Sequence, residues 1–501
     1  MKNILEFLES AAGRFPDKTA FAQDGRALAY GELLDGAQRV GSALAKLNCK
    51  NQPVCVYMDK GVNTILSMMG VVYSGNFYVV LDGEMPAERI NKIFSTLQPR
   101  AVIAGEGFEE KAQLLDFDGE VFNLGKLLET EIDSDKLAEI RAAQIDTDPL
   151  YALYTSGSTG VPKGAILSHR NVIAYSEWVC GEFDFSEETV FANQTPFYFS
   201  MSVTDVYSTL RCGATLHIIP KIYFSFPIKL IEFLNNNKVN TIYWVPSAIS
   251  IVSNFKLFDY AKPQYLKKVL FAGEVMRTKP LNYWINNLDK DVLFANLFGP
   301  TETTDICTFY KVNRPFTDDE PLPIGTHCNN CDVMIVAEDG TLAENGEEGE
   351  LYVRGSFLAG GYYNNPEKTA QAFVQNPLNS AYPETVYKTG DLVKLNELGE
   401  ILYITRRDFQ IKHMGYRIEL GEIEAAAGVI EGINEVACVF DAPNDKIVFI
   451  YSGKKLDEGD IMKSLRERLP EYLMPNRIIR MKNMPHNQNG KIDRKLLMQN
   501  L

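Results

Sequence analysis

Short apolar runs rich in Val, Ile and Tyr alternate with helix-patterned stretches through most of this chain. Residues 77–81, 101–104, 215–219, 241–245 and 269–272 read as strands, and stretches such as 228–237 and 279–288 between them carry helical spacing. Alternation of this kind implies β-sheets covered by helices on both faces. The expected fold class is therefore α/β, with a large N-terminal domain of helix-covered β-sheets. From 335 to 353 the pattern changes to short strands with turns at Asp339-Gly340 and Asn345-Gly346, which predicts a small β subdomain. A last shift comes at Arg406-Arg407-Asp408. Beyond it lie a helix pattern (421–430), two strands (435–440 and 446–451), a second helix (458–469) and a basic, turn-rich tail. The expected division is a large domain over 1–407 and a small, mobile α+β C-terminal domain over 408–501.

The bulk numbers narrow the function. With 501 residues, 46% hydrophobic and 23% charged, the chain is globular and too long for a single core. A formal net charge of −15 argues against general binding to nucleic acid or to anionic membranes, so any anionic ligand needs a local site. The N-terminal residues are charged and helix-patterned and lack a secretory apolar core. The most apolar region, 65–81, is broken by Ser67, Gly70, Ser74, Gly75 and Asn76 and reads as a buried helix, a glycine cap and a strand. Eight cysteines, mostly inside apolar segments, fit reduced thiols in a cytoplasmic protein. Cys328-Asn329-Asn330-Cys331, beside His327, has ligand-like spacing but no second Cys pair, so a surface loop is expected there rather than zinc.

The chemistry concentrates in Tyr154-Thr155-Ser156-Gly157-Ser158-Thr159-Gly160-Val161-Pro162-Lys163-Gly164, which follows the apolar run 150–153. Glycine lets main-chain N–H groups close on an anion, and hydroxyls and a lysine add donors and charge. That composition suits a polyphosphate. The spacing is not that of the Walker loop, because no Gly-Lys-Ser/Thr closes it.

Further segments follow in order: Leu28-Ala29-Tyr30-Gly31-Glu32-Leu33, residues 78–82, Asn296-Leu297-Phe298-Gly299-Pro300-Thr301-Glu302 and Gly349-Glu350-Leu351. Tyr387-Lys388-Thr389-Gly390-Asp391, residues 415–424 (Gly-Tyr-Arg-Ile-Glu-Leu-Gly-Glu-Ile-Glu) and Asn487-Gln488-Asn489-Gly490-Lys491-Ile492-Asp493-Arg494 complete the set. Together with the glycine-rich loop these make the chain resemble, end to end, the adenylate-forming enzymes: acyl-CoA synthetases, luciferases and peptide-synthetase adenylation domains. The last two segments are most similar to carrier-protein-loading members, including D-alanine–carrier-protein ligases.

The resemblance implies an activity. A carboxylate does not react with a thiol at neutral pH, because its leaving group is oxide. The family attacks the α-phosphorus of ATP with the carboxylate, giving an acyl adenylate and pyrophosphate; a thiol then displaces AMP. Two anions meet in the first step, so positive charge and orientation dominate its catalysis. On this resemblance Thr155, Ser156, Gly157, Ser158, Thr159, Gly160 and Lys163 hold the β- and γ-phosphates of ATP, and Glu302 holds Mg²⁺. Phe298 stacks on adenine, with Asn296 and the main chain around Gly299 and Thr301 near it. Asp391 accepts from the ribose hydroxyls. Arg406 meets the ribose or phosphate side, although Arg407 beside it leaves the register open. Lys491 reaches the carboxylate and α-phosphate during adenylation, and Asp408 is the hinge about which the small domain turns, bringing the face around Gly415 to the thiol.

The acid pocket departs from the pattern. The resemblance assigns Phe199, Ser200, Met201, Thr204, Tyr243, Leu270, Ala272, Leu297, Asp305 and Ile306 to it. Amino-acid-activating relatives carry Asp where this chain has Ser200, and that Asp pairs with the α-ammonium. A hydroxyl does not replace a buried carboxylate facing a desolvated cation. Asp305 is open to three readings: it binds an ammonium displaced from the α-position, it bonds a distal hydroxyl of an aryl acid, or it faces solvent or caps a turn. Asp205 is a second possible source of charge. No segment resembles a carrier domain, so the expected thiol acceptor is a separate holo-carrier protein or coenzyme A. The leading expectation is ATP-dependent ligation of a small amino or related carboxylic acid. The alternatives are an acyl- or aryl-CoA ligase and a non-catalytic nucleotide-binding homologue.

Overall fold

The computed structural model describes residues 1–157, 161–407, 410–486, 492–499 and 501. The region read as helix, cap and strand forms a helix Val62–Tyr73, Gly75 at φ 77° and a strand Phe77–Asp82. That strand is buried on both faces, as an uninterrupted apolar run requires. It sits inside a six-stranded sheet ordered Glu120–Asn123, Ala101–Ala104, Pro53–Met58, Phe77–Asp82, Pro149–Thr155, Lys163–Ser168. All its pairings are parallel except the last, an antiparallel hairpin. A nine-stranded sheet stands beside it, with Leu293–Phe298 next to Lys268–Phe271 on one side and Thr308–Lys311 on the other.

The expected β subdomain is a five-stranded sheet built on Cys331–Val336, Gly349–Gly355 and Thr385–Leu395, with Ile401–Arg406 paired to the last of these. Its two sequence-marked turns put Gly340 and Gly346 at φ 87° and 84°, in the left-handed region that favours glycine. The C-terminal part has its own core, around Ile418, Ile423, Cys438, Phe449 and Leu465. It opens with a hairpin, Gln410–His413 and Tyr416–Glu419, followed by the helix Leu420–Ala427 and a three-stranded sheet. The fold is the α/β class expected, with a large multi-sheet N-terminal domain and a smaller C-terminal one.

One expectation fails. Cys328 and Cys331 are not in a surface loop: both thiols are buried in the main core, and only Asn329 and Asn330 between them are exposed. Burial pushes both thiols up, and all eight cysteines are free. The spacing that looked like ligand geometry comes from a tight turn leading into the strand Cys331–Val336.

A buried histidine supplies a stability prediction. His169, 1% exposed, accepts the Ile4 N–H at Nδ1 (3.4 Å). Burial, then Arg141, pushes it from 6.5 to about 4. The unfolded chain takes up this proton first, so the stability is complete above pH 6.5 and is lost as pH falls toward 4, about 3 kcal/mol in all. The thermal midpoint should fall through that window, and His169→Gln should flatten the dependence. An equally steep slope in the variant excludes His169 as its source.

Candidate active site

The glycine-rich segment joins the antiparallel strands Pro149–Thr155 and Lys163–Ser168, with Thr155 opposite Lys163. A Cβ at Gly157 would meet the Val161 carbonyl at 2.0 Å, so the closure admits only glycine there. Thr155 Oγ1 is buried and has no partner among the described residues, while Ser156 Oγ donates to the Arg417 carbonyl at 3.1 Å. Ser158, Thr159, Gly160, Asp408 and Lys491 lie outside the described residues. Beside the segment is a cavity of about 330 Å³, lined by Gly157, Lys163, Glu350, Tyr362, Arg406 and Arg417 among others.

Glu302 follows the strand Leu293–Phe298 in a short 3-10 turn and is fully buried. Arg417 Nη1 donates to its Oε2 at 2.6 Å, and Tyr362 Oη donates to its Oε1 at 2.6 Å. Lys163 Nζ is 3.8 Å from the same Oε1 and donates to Tyr362 Oη at 3.1 Å. Burial alone would raise this carboxyl, but Arg417 and then Lys163 more than offset it and hold it at about 2. Burial, reinforced by Arg417, brings Lys163 down to about 8. The result is an ionised, dry carboxylate shared by two cations.

Tyr362 received no role from the sequence. It is held in place because the Ala359 N–H donates to the Glu302 carbonyl (2.9 Å) and the Tyr363 N–H to the Gly164 carbonyl (2.8 Å). The available signal was Gly360-Gly361-Tyr362-Tyr363, where Gly361 stands at φ 123°. A tyrosine after two glycines still reads as an ordinary core aromatic until its partner is known.

Asp391 and Arg406 face each other across adjacent strands, with Arg406 Nη1 donating to Asp391 Oδ1 at 2.9 Å and both side chains buried. Arg406 stands at Asp391 and lines the cavity, whereas Arg407 turns to Glu350 at 3.2 Å. Phe298 carries Lys412 Nζ 4.5 Å from its ring centroid, and Asn296 Nδ2 donates to the Pro323 carbonyl at 2.8 Å. Gly299 is packed so tightly that a Cβ would meet the Asp305 carbonyl at 2.3 Å. Thr301 is buried at the start of the 3-10 turn that bears Glu302.

The assigned acid-pocket residues form a second cluster. Met201, Thr204, Tyr243, Leu270, Ala272, Leu297, Asp305 and Ile306 are all buried, and Ser200 stands immediately before the helix Met201–Cys212. Asp305 faces neither solvent nor a turn. Its Oδ2 accepts from Thr204 Oγ1 (2.6 Å), Tyr175 Oη (3.0 Å) and Tyr243 Oη (3.1 Å). Burial pushes its carboxyl up to about 6, against the pull of these hydroxyls and of Ser200. Asp205 is also buried, with Asn193 Nδ2 on one oxygen at 2.7 Å, and burial pushes it to about 8. Tyr175, the inward tyrosine of the helix His169–Glu182, was not foreseen.

The C-terminal hairpin is inserted between these clusters. The Gly415 N–H donates to Glu274 Oε1 at 2.6 Å, and a Cβ at Gly415 would strike Val245 Cγ1 at 2.5 Å. Tyr416 stacks on Tyr472 (4.0 Å, 16°), and the edge of Phe199 meets Tyr416 at 4.8 Å. Arg89 and Glu422, both 3% exposed, form an ion pair across the same interface.

Lys163, Arg406 and Arg417 line one cavity beside the glycine-rich segment, with the buried carboxylates of Glu302 and Asp391 behind them, the layout of an enzyme site. Residues 8–363 match the family model for AMP-binding enzymes, and the chain belongs to that family. It is 31% identical over 512 residues to a D-alanine--D-alanyl carrier protein ligase of Bacillus velezensis, covering 98% of both chains. It is 29% identical to tyrocidine synthase 1 of Brevibacillus parabrevis, with 99% of this chain matching 45% of that longer protein. A solved Vibrio cholerae adenylation domain, AlmE in complex with glycyl-adenosine-5'-phosphate, superposes with TM-score 0.83 at 21% identity over 99% of this chain and 97% of that one, a likeness of fold. The membership inferred from the motifs is borne out, and the chain is a ligase of the class that forms an acyl adenylate and then a thioester.

No helix among the described residues is long and apolar enough to cross a membrane.

Proposed function

We propose that this enzyme uses ATP and Mg²⁺ to adenylate a small amino acid or related carboxylic acid. It then transfers the acyl group to the phosphopantetheine thiol of a separate carrier protein. The observation that carries the reading is Glu302, a fully buried carboxylate kept ionised beside Lys163 and the glycine-rich segment. Magnesium bound to phosphate oxygens takes only one or two protein carboxylates, so this donor set fits it. The unpartnered Thr155 hydroxyl and the 330 Å³ cavity beside Lys163 fit phosphate oxygens. When bound, the cation neutralises charge on the phosphates.

The chain's own groups do the rest. Lys163 and the segment from Thr155 orient the β- and γ-phosphates. Asp391, fixed by Arg406, accepts from the ribose, and Phe298 offers its ring to adenine. Lys491 supplies a cation to the α-phosphate, and a turn about Asp408 exchanges it for the hairpin around Gly415. The small domain from 408 is mobile on this reading. A carrier acceptor is supported by the full-length likeness to a carrier protein ligase. Eight free thiols support a cytoplasmic setting.

ATP–pyrophosphate exchange over α-amino, β-amino and hydroxybenzoic acids tests the first half-reaction. Incubation with holo-carrier or coenzyme A tests the second. Exchange with none of the acids overturns the reading, and transfer to coenzyme A alone replaces it with an acyl-CoA ligase. Asp305→Asn keeps the hydroxyl cage but removes the charge, so exchange should fall about tenfold for acids bearing an ammonium and little for neutral ones. Equal loss for both removes Asp305 from substrate recognition.

A further inference from the structure

The carboxylate given above to magnesium is occupied by the protein itself. Arg417 belongs to the C-terminal hairpin, and its guanidinium lies 2.6 Å from Glu302 Oε2 while Tyr362 takes Oε1. It is aimed there from its own hairpin, because Arg417 Nε donates to Gln410 Oε1 at 2.7 Å. Its carbonyl accepts from Ser156 at the edge of the glycine-rich segment. A divalent cation on Oε2 would face this guanidinium across a few ångströms, where like charges repel. The two therefore exclude each other.

We propose that Arg417 is a positioning residue for thioester formation: it seats the hairpin by taking the Glu302 carboxylate, which it and the divalent cation hold in turn. The inference rests on the metal reading of Glu302. A buried carboxylate that loses its counter-charge is costly, so without the cation Glu302 would face Lys163 alone and need a second positive charge. Arg417 supplies it only when the whole hairpin is docked. The Gly415–Glu274 bond, the Tyr416–Tyr472 stack against Phe199 and the buried Arg89–Glu422 pair all belong to that docked placement. Removal of the cation and presentation of the second active face thus become one linked exchange of cations on a single carboxylate.

The test uses the full-length protein, Mn²⁺ as the probe and inorganic pyrophosphate, with free Mn²⁺ read by electron paramagnetic resonance. Arg417→Met removes the competitor and should bind Mn²⁺ with pyrophosphate about tenfold more tightly than the wild type, with Arg417→Lys in between. Arg89→Met leaves the Glu302–Arg417 chemistry intact but loosens docking, and should tighten binding in the same direction. It keeps the proposal testable if Arg417→Met does not fold. Unchanged or weaker Mn²⁺ binding in these variants overturns the exchange. If Glu302→Gln itself leaves Mn²⁺ binding unaltered, the metal reading beneath it fails instead.

Discussion

Glu302→Gln is expected to lower ATP–pyrophosphate exchange by about 100- to 1000-fold, roughly 3–4 kcal/mol of lost transition-state stabilisation. The size follows from what the carboxylate faces. It is fully buried, and both Arg417 and Lys163 turn toward it. A neutral amide keeps the shape but leaves two buried cations without a counter-charge and weakens the hold on the phosphate-bound metal. Tyr362→Phe is the graded control. It removes the 2.6 Å hydrogen bond to a charged oxygen and the hydroxyl that accepts from Lys163, and leaves the charge in place, so a loss near tenfold is expected. Both variants are read by exchange with any acid that the wild type accepts. Glu302→Gln exchange within tenfold of wild type would reduce Glu302 to a structural counter-ion for Arg417.

The contrast between these two residues marks what the sequence makes legible. Glu302 sits in the segment from Asn296 to Glu302, and the family resemblance that this segment helps to carry is what singled it out. Tyr362 and Arg417 meet it from 60 and 115 residues away. Contacts of that kind leave no periodic trace, and Arg417, inside a segment already noticed, gave no hint that its partner was Glu302. The same limit shaped the fold reading. Local spacing gave the helix, cap and strand read over 65–81 and the glycine turns of the β subdomain, because each is fixed by backbone conformation within a few residues. It misplaced Cys328 and Cys331, for which the lack of a second Cys pair left a surface loop as the expectation although the thiols are buried in the core. Asp305 was recognised as out of place in an apolar wall. That three hydroxyls close on it depended on Tyr175, 130 residues earlier.

Lys491→Ala is expected to reduce adenylate formation by about 100- to 1000-fold while sparing thioester formation from a supplied adenylate. Among the described residues, four cations of the site already face partners, and Lys368 and Lys388 also line the cavity. Lys163 and Arg417 face Glu302, Arg406 faces Asp391, and Lys412 lies over the ring of Phe298. Attack of a carboxylate on the α-phosphorus adds charge to an already anionic centre, so the transition state needs a further positive group that ground-state pairing has not consumed. Lys491 is the residue that the family resemblance assigns to this task. With the hairpin docked, Arg417 and Gly415 hold the cleft through Glu302 and Glu274, and a second cationic segment has to enter by displacing that hairpin. The two half-reactions then require different placements of one small domain, and a substitution on the segment used only in the first should leave the second intact. Both half-reactions are measured on the same preparation, by pyrophosphate exchange and by carrier loading from synthetic adenylate. Equal loss in the two would mean that Lys491 acts on the fold of the small domain and not on the α-phosphate.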